Sequence, residues 1–115
     1  MAITLDEYDG VTIDPEHHKV IFENDRVRVL EVSIAVGEIT PLHSHARPTV
    51  MNVLSGSHFI RRDENGVEMF NTRANPDFVL PKVLYSDLTP IHTLENTDTE
   101  ELLVISVELK NSSAK

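Results

Sequence analysis

Cysteine and tryptophan are both missing from this 115-residue sequence, and aromatic residues make up only 5% of it. Without cysteine there is no disulfide framework and no thiolate ligand, so a transition-metal site must be built from imidazole and carboxylate. The shortage of aromatics leaves Val, Ile and Leu to fill the core, a mixture that favours strands. Basic residues are also scarce: ten Lys and Arg stand against nineteen Asp and Glu, for a formal charge of -9. A surface of that sign repels phosphate backbones and anionic membranes, so neither nucleic acid nor membrane is an expected partner. No apolar run approaches the ~18 residues that span a bilayer. The acidic opening MAITLDEYDG lacks the basic start and apolar stretch of a signal peptide. A cytoplasmic protein is the expectation.

What is present is a series of short apolar runs punctuated by Gly, Pro, Asn and Asp, the pattern of an all-β sandwich or barrel. The length is that of one domain, and only the polar tail KNSSAK from Lys110 stands apart, as a flexible end. Helix is sparse, with at most one turn in AITLDEYDG. In RVRVLEVSIAVG the apolar parity passes from Val27 and Val29 to Leu30, Val32, Ile34 and Val36, which predicts a β-bulge or a change of face. TVMNVLSG reads as a buried strand ended by Gly56, and Asn65-Gly66 lies between two strand-like runs as a hairpin signal. Pro81 and Pro90 restrict ladder hydrogen bonds in the runs that follow. The last run, LLVISVEL, sets Leu103, Ile105, Val107 and Leu109 on one face.

The chemistry is concentrated in PLHSHARPTV, residues 41–50. Alternate residues of a strand share a face with Cα atoms roughly 6.5 to 7 Å apart, so His43 and His45 converge on one point above the sheet. Pro41 argues against a helix there. The best third ligand is His92 in IHTLEN. Three neutral imidazoles at about 2.0–2.2 Å suit one divalent transition metal, with Fe, Mn, Ni, Cu and Zn all candidates and the other coordination positions open. An H-x-H pair alone is a short motif and also fits two solvated side chains. Alternation from Thr49 carries Met51 and Val53 into the interior as a pocket wall. Arg47 and Tyr85 are the candidates for touching a substrate, although a solvated loop arginine is the commoner case. Glu95 points away from His92 as a surface charge, and Asn96 reads as a turn residue. His17, His18 and His58 read as surface or structural histidines, with one of the three left open as a replacement ligand and His58 excluded from the site.

From Gly37 to Gly56, GEITPLHSHARPTVMNVLSG resembles the first motif of the cupins, in which a glycine, five residues, H-x-H, a glutamate and a final glycine follow in fixed order. His92 and Asn96 resemble the histidine and asparagine that end the second motif. The resemblance covers about residues 17–109 and implies an all-β fold, a small antiparallel β-barrel or jelly roll, as a single domain over 1–115 with 110–115 as its tail. It also implies His43, His45 and His92 as metal ligands, with iron the leading metal. Where the family usually has its glutamate ligand this chain has Thr49, and Asp87 and Thr89 replace the proline and glycine that normally precede the second-motif histidine. Loss of the carboxylate leaves the metal its full positive charge and one more open position.

Some cupins with three histidines and no glutamate are iron dioxygenases, whereas others with altered sites bind no metal. The leading expectation is therefore a metal-dependent, dioxygenase-type oxidoreductase acting on a small anionic or oxo substrate. The alternative is a small-ligand-binding module or a vestigial site. Sheet edges that need covering add a homodimer to the expected partners.

Overall fold

The computed structural model describes residues 7–110. A single helical turn, α1 (Gly10–Ile13), precedes nine strands: β1 (His18–Glu23), β2 (Val27–Ile34), β3 (His43–His45), β4 (Thr49–Ser55), β5 (Phe59–Arg62), β6 (Glu68–Asn71), β7 (Val83–Ser86), β8 (Thr89–Asn96) and β9 (Leu102–Leu109). They form a five-stranded sheet in the order β1-β2-β9-β4-β7 and a four-stranded sheet in the order β3-β8-β5-β6. Every named strand pair is antiparallel, and the fold is an all-β jelly roll. The helical turn expected in residues 2–10 lies partly outside the described residues; the turn observed begins at Gly10. Of the expected flexible tail, residues 111–115 are likewise outside them.

Turn chemistry fixes the hairpins. Between β1 and β2 the Asn24 side chain accepts hydrogen bonds from the amides of Arg26 and Val27, at 2.8 and 2.9 Å, closing the connection as an Asx turn. Between β5 and β6 the Asp63 carboxylate accepts from the amides of Asn65 and Val67, and Gly66 takes the positive φ of 80° that this turn needs. At the end of β4, Gly56 has φ 87°, and a Cβ there would lie 2.8 Å from the Cα of Leu102.

The interior is unusually polar. Leu30, Ile34, Phe59 and Leu102 are the buried hydrophobic side chains among the described residues, whereas His18, Arg28, His43, Thr49, His92, Ser106 and Glu108 are buried as well. One sequence expectation is corrected by this. The parity change in β2 is neither a bulge nor a change of face, because Arg28 continues inward in line with Leu30, Val32 and Ile34, and β2 pairs with β9 in unbroken register. The bulge of that hairpin is in β1, between Val20 and Phe22. On β9 the face turned to the interior is Leu102, Val104, Ser106 and Glu108. The more uniformly apolar set, Leu103, Ile105, Val107 and Leu109, faces the other way.

Candidate metal centre

The two sheets enclose a cavity of about 90 Å³. The five-stranded sheet contributes Val32, Ile34, Thr49, Met51, Val104, Ser106 and Glu108 among others, and the four-stranded sheet contributes His43, His45, Arg61, Thr89, His92 and Leu94. His18, at the start of β1, completes a group of four imidazoles. Ring centroids lie 4.7 Å apart for His18 and His43, 5.0 Å for His43 and His45, 4.3 Å for His43 and His92, and 5.8 Å for His45 and His92.

Each ring is held by a local device. Pro41 precedes His43 by two residues and its carbonyl accepts from His43 Nδ1 at 2.9 Å; Pro90 stands in the same relation to His92, at 2.7 Å. β3 and β8 pair His43 with His92 and His45 with Thr89, so β8 carries one extra residue between the two pairings. Pro90 lies in that bulge, where its missing N–H interrupts no regular ladder bond. His18 donates Nδ1 to the carbonyl of Asp14, the residue that ends α1, at 3.0 Å. Above them Gly10 packs so closely that a Cβ there would lie 2.9 Å from His18 Cδ2 and 3.1 Å from His45 Cε1.

These contacts decide the chemistry of the rings. A carbonyl can only accept, so Nδ1 of His18, His43 and His92 carries the proton and Nε2 is left with its lone pair. Burial, outweighing the hydrogen bond to Pro41, pushes His43 down to about 4; burial and the neighbouring His43 push His92 to about 3. Burial lowers His18 as well and holds His45 well below the ordinary imidazole range. All four are neutral at pH 7, the form that binds a cation. One nitrogen from each of His18, His43 and His45 lies within 4.8 Å of the others, close enough for a single ion after a small side-chain movement. The donor set therefore fits an imidazole-bound transition metal.

The positions singled out in the sequence separate. His43, His45 and His92 lie around one cavity, and the three nitrogens that approach within 4.8 Å of one another belong to His43, His45 and His18. Thr49 and Met51 line the cavity, and Val53 lines a chamber beside it. Tyr85 does not reach the cavity: it pairs with Val50, on the outer face of β4, is 57% exposed, and gives its hydroxyl to Asp87. Arg47 is drawn into a buried ion network, its Nη1 3.5 Å from Glu108 Oε1. Arg28 joins that network through Glu108 at 2.6 Å and Asp9 at 2.9 Å, which ties the start of α1 to the barrel. His18 is buried in the site rather than at the surface. His17 pairs with Asp14 and Glu38, and His58 with Thr72, in structural roles. Asn96 satisfies the carbonyls of Ile34 and Glu100 and the amide of Asp98, as a turn residue does.

Three site residues escaped the sequence reading. His18 had no motif to mark it, because its place depends on how β1 pairs with β2. Glu108 stands directly across from Thr49, so a carboxylate does border the site from the neighbouring strand, with its Oε1 held by the two arginines. Arg61 carried a readable signal: it shares a strand face with the buried Phe59, so the arginine pair in FIRR must turn one member inward.

No protein-family model and no curated protein matches the chain. Among solved structures it is similar to a cupin domain from Bordetella pertussis, with 18% identity over 82% of this chain and 92% of that one and a TM-score of 0.62. It is similar also to an RmlC-like cupin of double-stranded β-helix fold from Methanocaldococcus jannaschii, at 13% identity over 80% and 77% and a TM-score of 0.58. A third is the polyketide cyclase RemF from Streptomyces resistomycificus, at 16% identity over 80% and 63% and a TM-score of 0.54. At these identities the likeness concerns the backbone alone, and what it establishes is that residues of one small chain, closed into two antiparallel sheets around a histidine-lined cavity, adopt the cupin fold.

Proposed function

We propose that the protein is a cupin metalloprotein that holds one divalent transition metal, iron foremost, on the imidazoles of His18, His43, His45 and His92. One observation carries this reading: three of the four rings spend Nδ1 on a backbone carbonyl, which aims an unprotonated Nε2 away from each of those carbonyls. Nothing about buried histidines in an ordinary core requires that repeated arrangement. Mn, Ni, Cu and Zn suit the same donors.

The activity we propose is that of a dioxygenase-type oxidoreductase acting on a small anionic or oxo compound. A bound metal supplies Lewis acidity and, if iron, one-electron chemistry towards O₂. The chain supplies the rest. Four neutral ligands leave the dication uncompensated, which draws an anion into the cavity. Met51, Val104 and Leu94 exclude water around it, and Arg28 and Arg47 fix the position of the Glu108 carboxylate. The test is titration of metal-free protein with Co(II): visible bands that saturate at one equivalent, and are lost in His43→Ala, support the site. With Fe(II) bound, substrate-dependent O₂ uptake supports the oxidoreductase. Saturable metal with no turnover leaves a ligand-binding module.

A cytoplasmic location and a homodimer are part of the same proposal. No helix among the described residues is long and apolar enough to cross a membrane. The edge strand β1 exposes Val20, Ile21 and Phe22, an apolar edge that a second copy of the chain would cover.

A further inference from the structure

The cavity contains a cation that no carboxylate among the described residues neutralises. Arg61 projects from β5 into the space between the sheets, and its Nε is buried without a hydrogen-bond partner. Among the described residues no carboxylate pairs with it; Arg28, Arg47 and Arg62 all have acidic partners. Its guanidinium carbon lies 5.9 Å from the centre of the Phe59 ring, a weak contact that fixes the side chain without offsetting its charge. Glu108, the carboxylate lining the cavity, already takes a hydrogen bond from Arg28 at 2.6 Å, with Arg47 Nη1 ion-paired to the same oxygen at 3.5 Å. A guanidinium stays protonated in proteins, and Arg61 is half-buried with its Nε shut away from any partner, which carries a cost. None of the described residues supplies its counterion.

Arg61 also stands where two spaces meet. Beyond the histidine-lined cavity lies a chamber of about 110 Å³ that shares Met51, Arg61, Leu94, Leu102 and Val104 with it and is otherwise walled by Val53, Phe59, Leu80 and Leu84. Apart from Arg61 every residue lining that chamber is apolar. We propose that Arg61 is the anchor for a small amphipathic monocarboxylic acid, which places its carboxylate on the guanidinium and its short apolar tail in the chamber bounded by Leu80 and Leu84. A planar carboxylate matches the guanidinium fork with two parallel hydrogen bonds. A chain carrying a charge of -9 disfavours a phosphate dianion relative to a monoanion.

The inference rests on the proposed metal reading only for what happens at the other end. With the tail in the chamber, the carboxyl carbon and its neighbour are the part of the acid that faces His43, His45 and His92. The substrate of the proposed enzyme then reacts at or beside the carboxyl group.

The test begins with metal-free protein, so that it does not depend on the histidines. Calorimetric titration with straight-chain carboxylates from acetate to hexanoate should show affinity rising roughly fourfold per methylene until the chamber is full. Hexanamide, which lacks the charge, should not bind. Arg61→Met should abolish binding of every acid and melt no lower than the native chain, since it removes a half-buried charge that has no acidic partner. Leu84→Trp should keep acetate binding and lose the dependence on tail length. Equal binding to Arg61→Met, no binding at millimolar concentrations, or equal binding of chloride without any gain from the tail would each overturn the proposal. Co(II) binding to Arg61→Met, measured separately, reports on the metal centre whatever the acids do.

Discussion

His18, His43 and His92 divide their two ring nitrogens between a backbone carbonyl and the cavity, and that division sets their behaviour with pH. Their folded-state pKa values are lowered, so below the ordinary imidazole value near 6.5 the unfolded chain binds protons that the folded chain refuses. Stability of the metal-free protein is therefore greatest above about 6.5 and falls as pH drops towards the folded values of about 4 for His43 and about 3 for His92. Urea midpoints measured between pH 7 and pH 4 should decrease steadily, and more steeply with metal present, because protons then compete with the ion as well. A flat profile contradicts the buried neutral histidines. Gly10 makes a second prediction at this scale. In Gly10→Ala the added carbon meets His18 and His45 and displaces the rings, so a chelator competition assay should show metal affinity falling roughly 10- to 100-fold. Unchanged affinity would mean that the rings have room to yield.

Strand architecture explains which parts of the site could be read from the chain. H-x-H spacing on a strand put His43 and His45 on one cavity, and the paired sequences PLH and PIH, residues 41–43 and 90–92, carry the proline carbonyls that orient two of the rings. The rest depended on register. His18 reaches the cavity only because β1 folds back along β2, and the inward face of β9 was hidden because a ligand cavity needs Ser106 and Glu108 where a plain core would have Leu and Val. Arg28 disguised itself in the same way, as a break in the apolar alternation of β2. The ion network that results predicts a large element-level effect. Glu108→Ala leaves Arg28 and Arg47 buried without their shared partner, and a denaturant titration should show a loss of about 3–5 kcal/mol. A loss below ~1 kcal/mol would show that these charges are solvated. Gly56→Ala should be destabilising too, through its positive φ and its approach to the Leu102 backbone.

For the molecule as a whole, two sheets joined across a polar cavity have little apolar core to spare, and a bound ion that bridges them links stability to metal. His18 belongs to the five-stranded sheet, while His43, His45 and His92 belong to the four-stranded sheet. Metal at about 100 times its dissociation constant adds about 2.7 kcal/mol, a rise in melting temperature on the order of 10 °C for a chain of this size. A chelator should reverse it. The β1 edge bears on assembly: light scattering should report a dimer that Phe22→Glu converts to monomer, and a native chain that stays monomeric at high concentration rules the homodimer out.

Whether the four imidazoles hold a metal is read from elemental analysis of the chain purified without a histidine tag, beside His43→Ala. About one equivalent of a single transition metal per chain, with iron foremost, and its loss in the variant are the expected results. Protein that carries no metal and takes up none on reconstitution with Fe, Mn, Ni, Cu or Zn would contradict the proposed site.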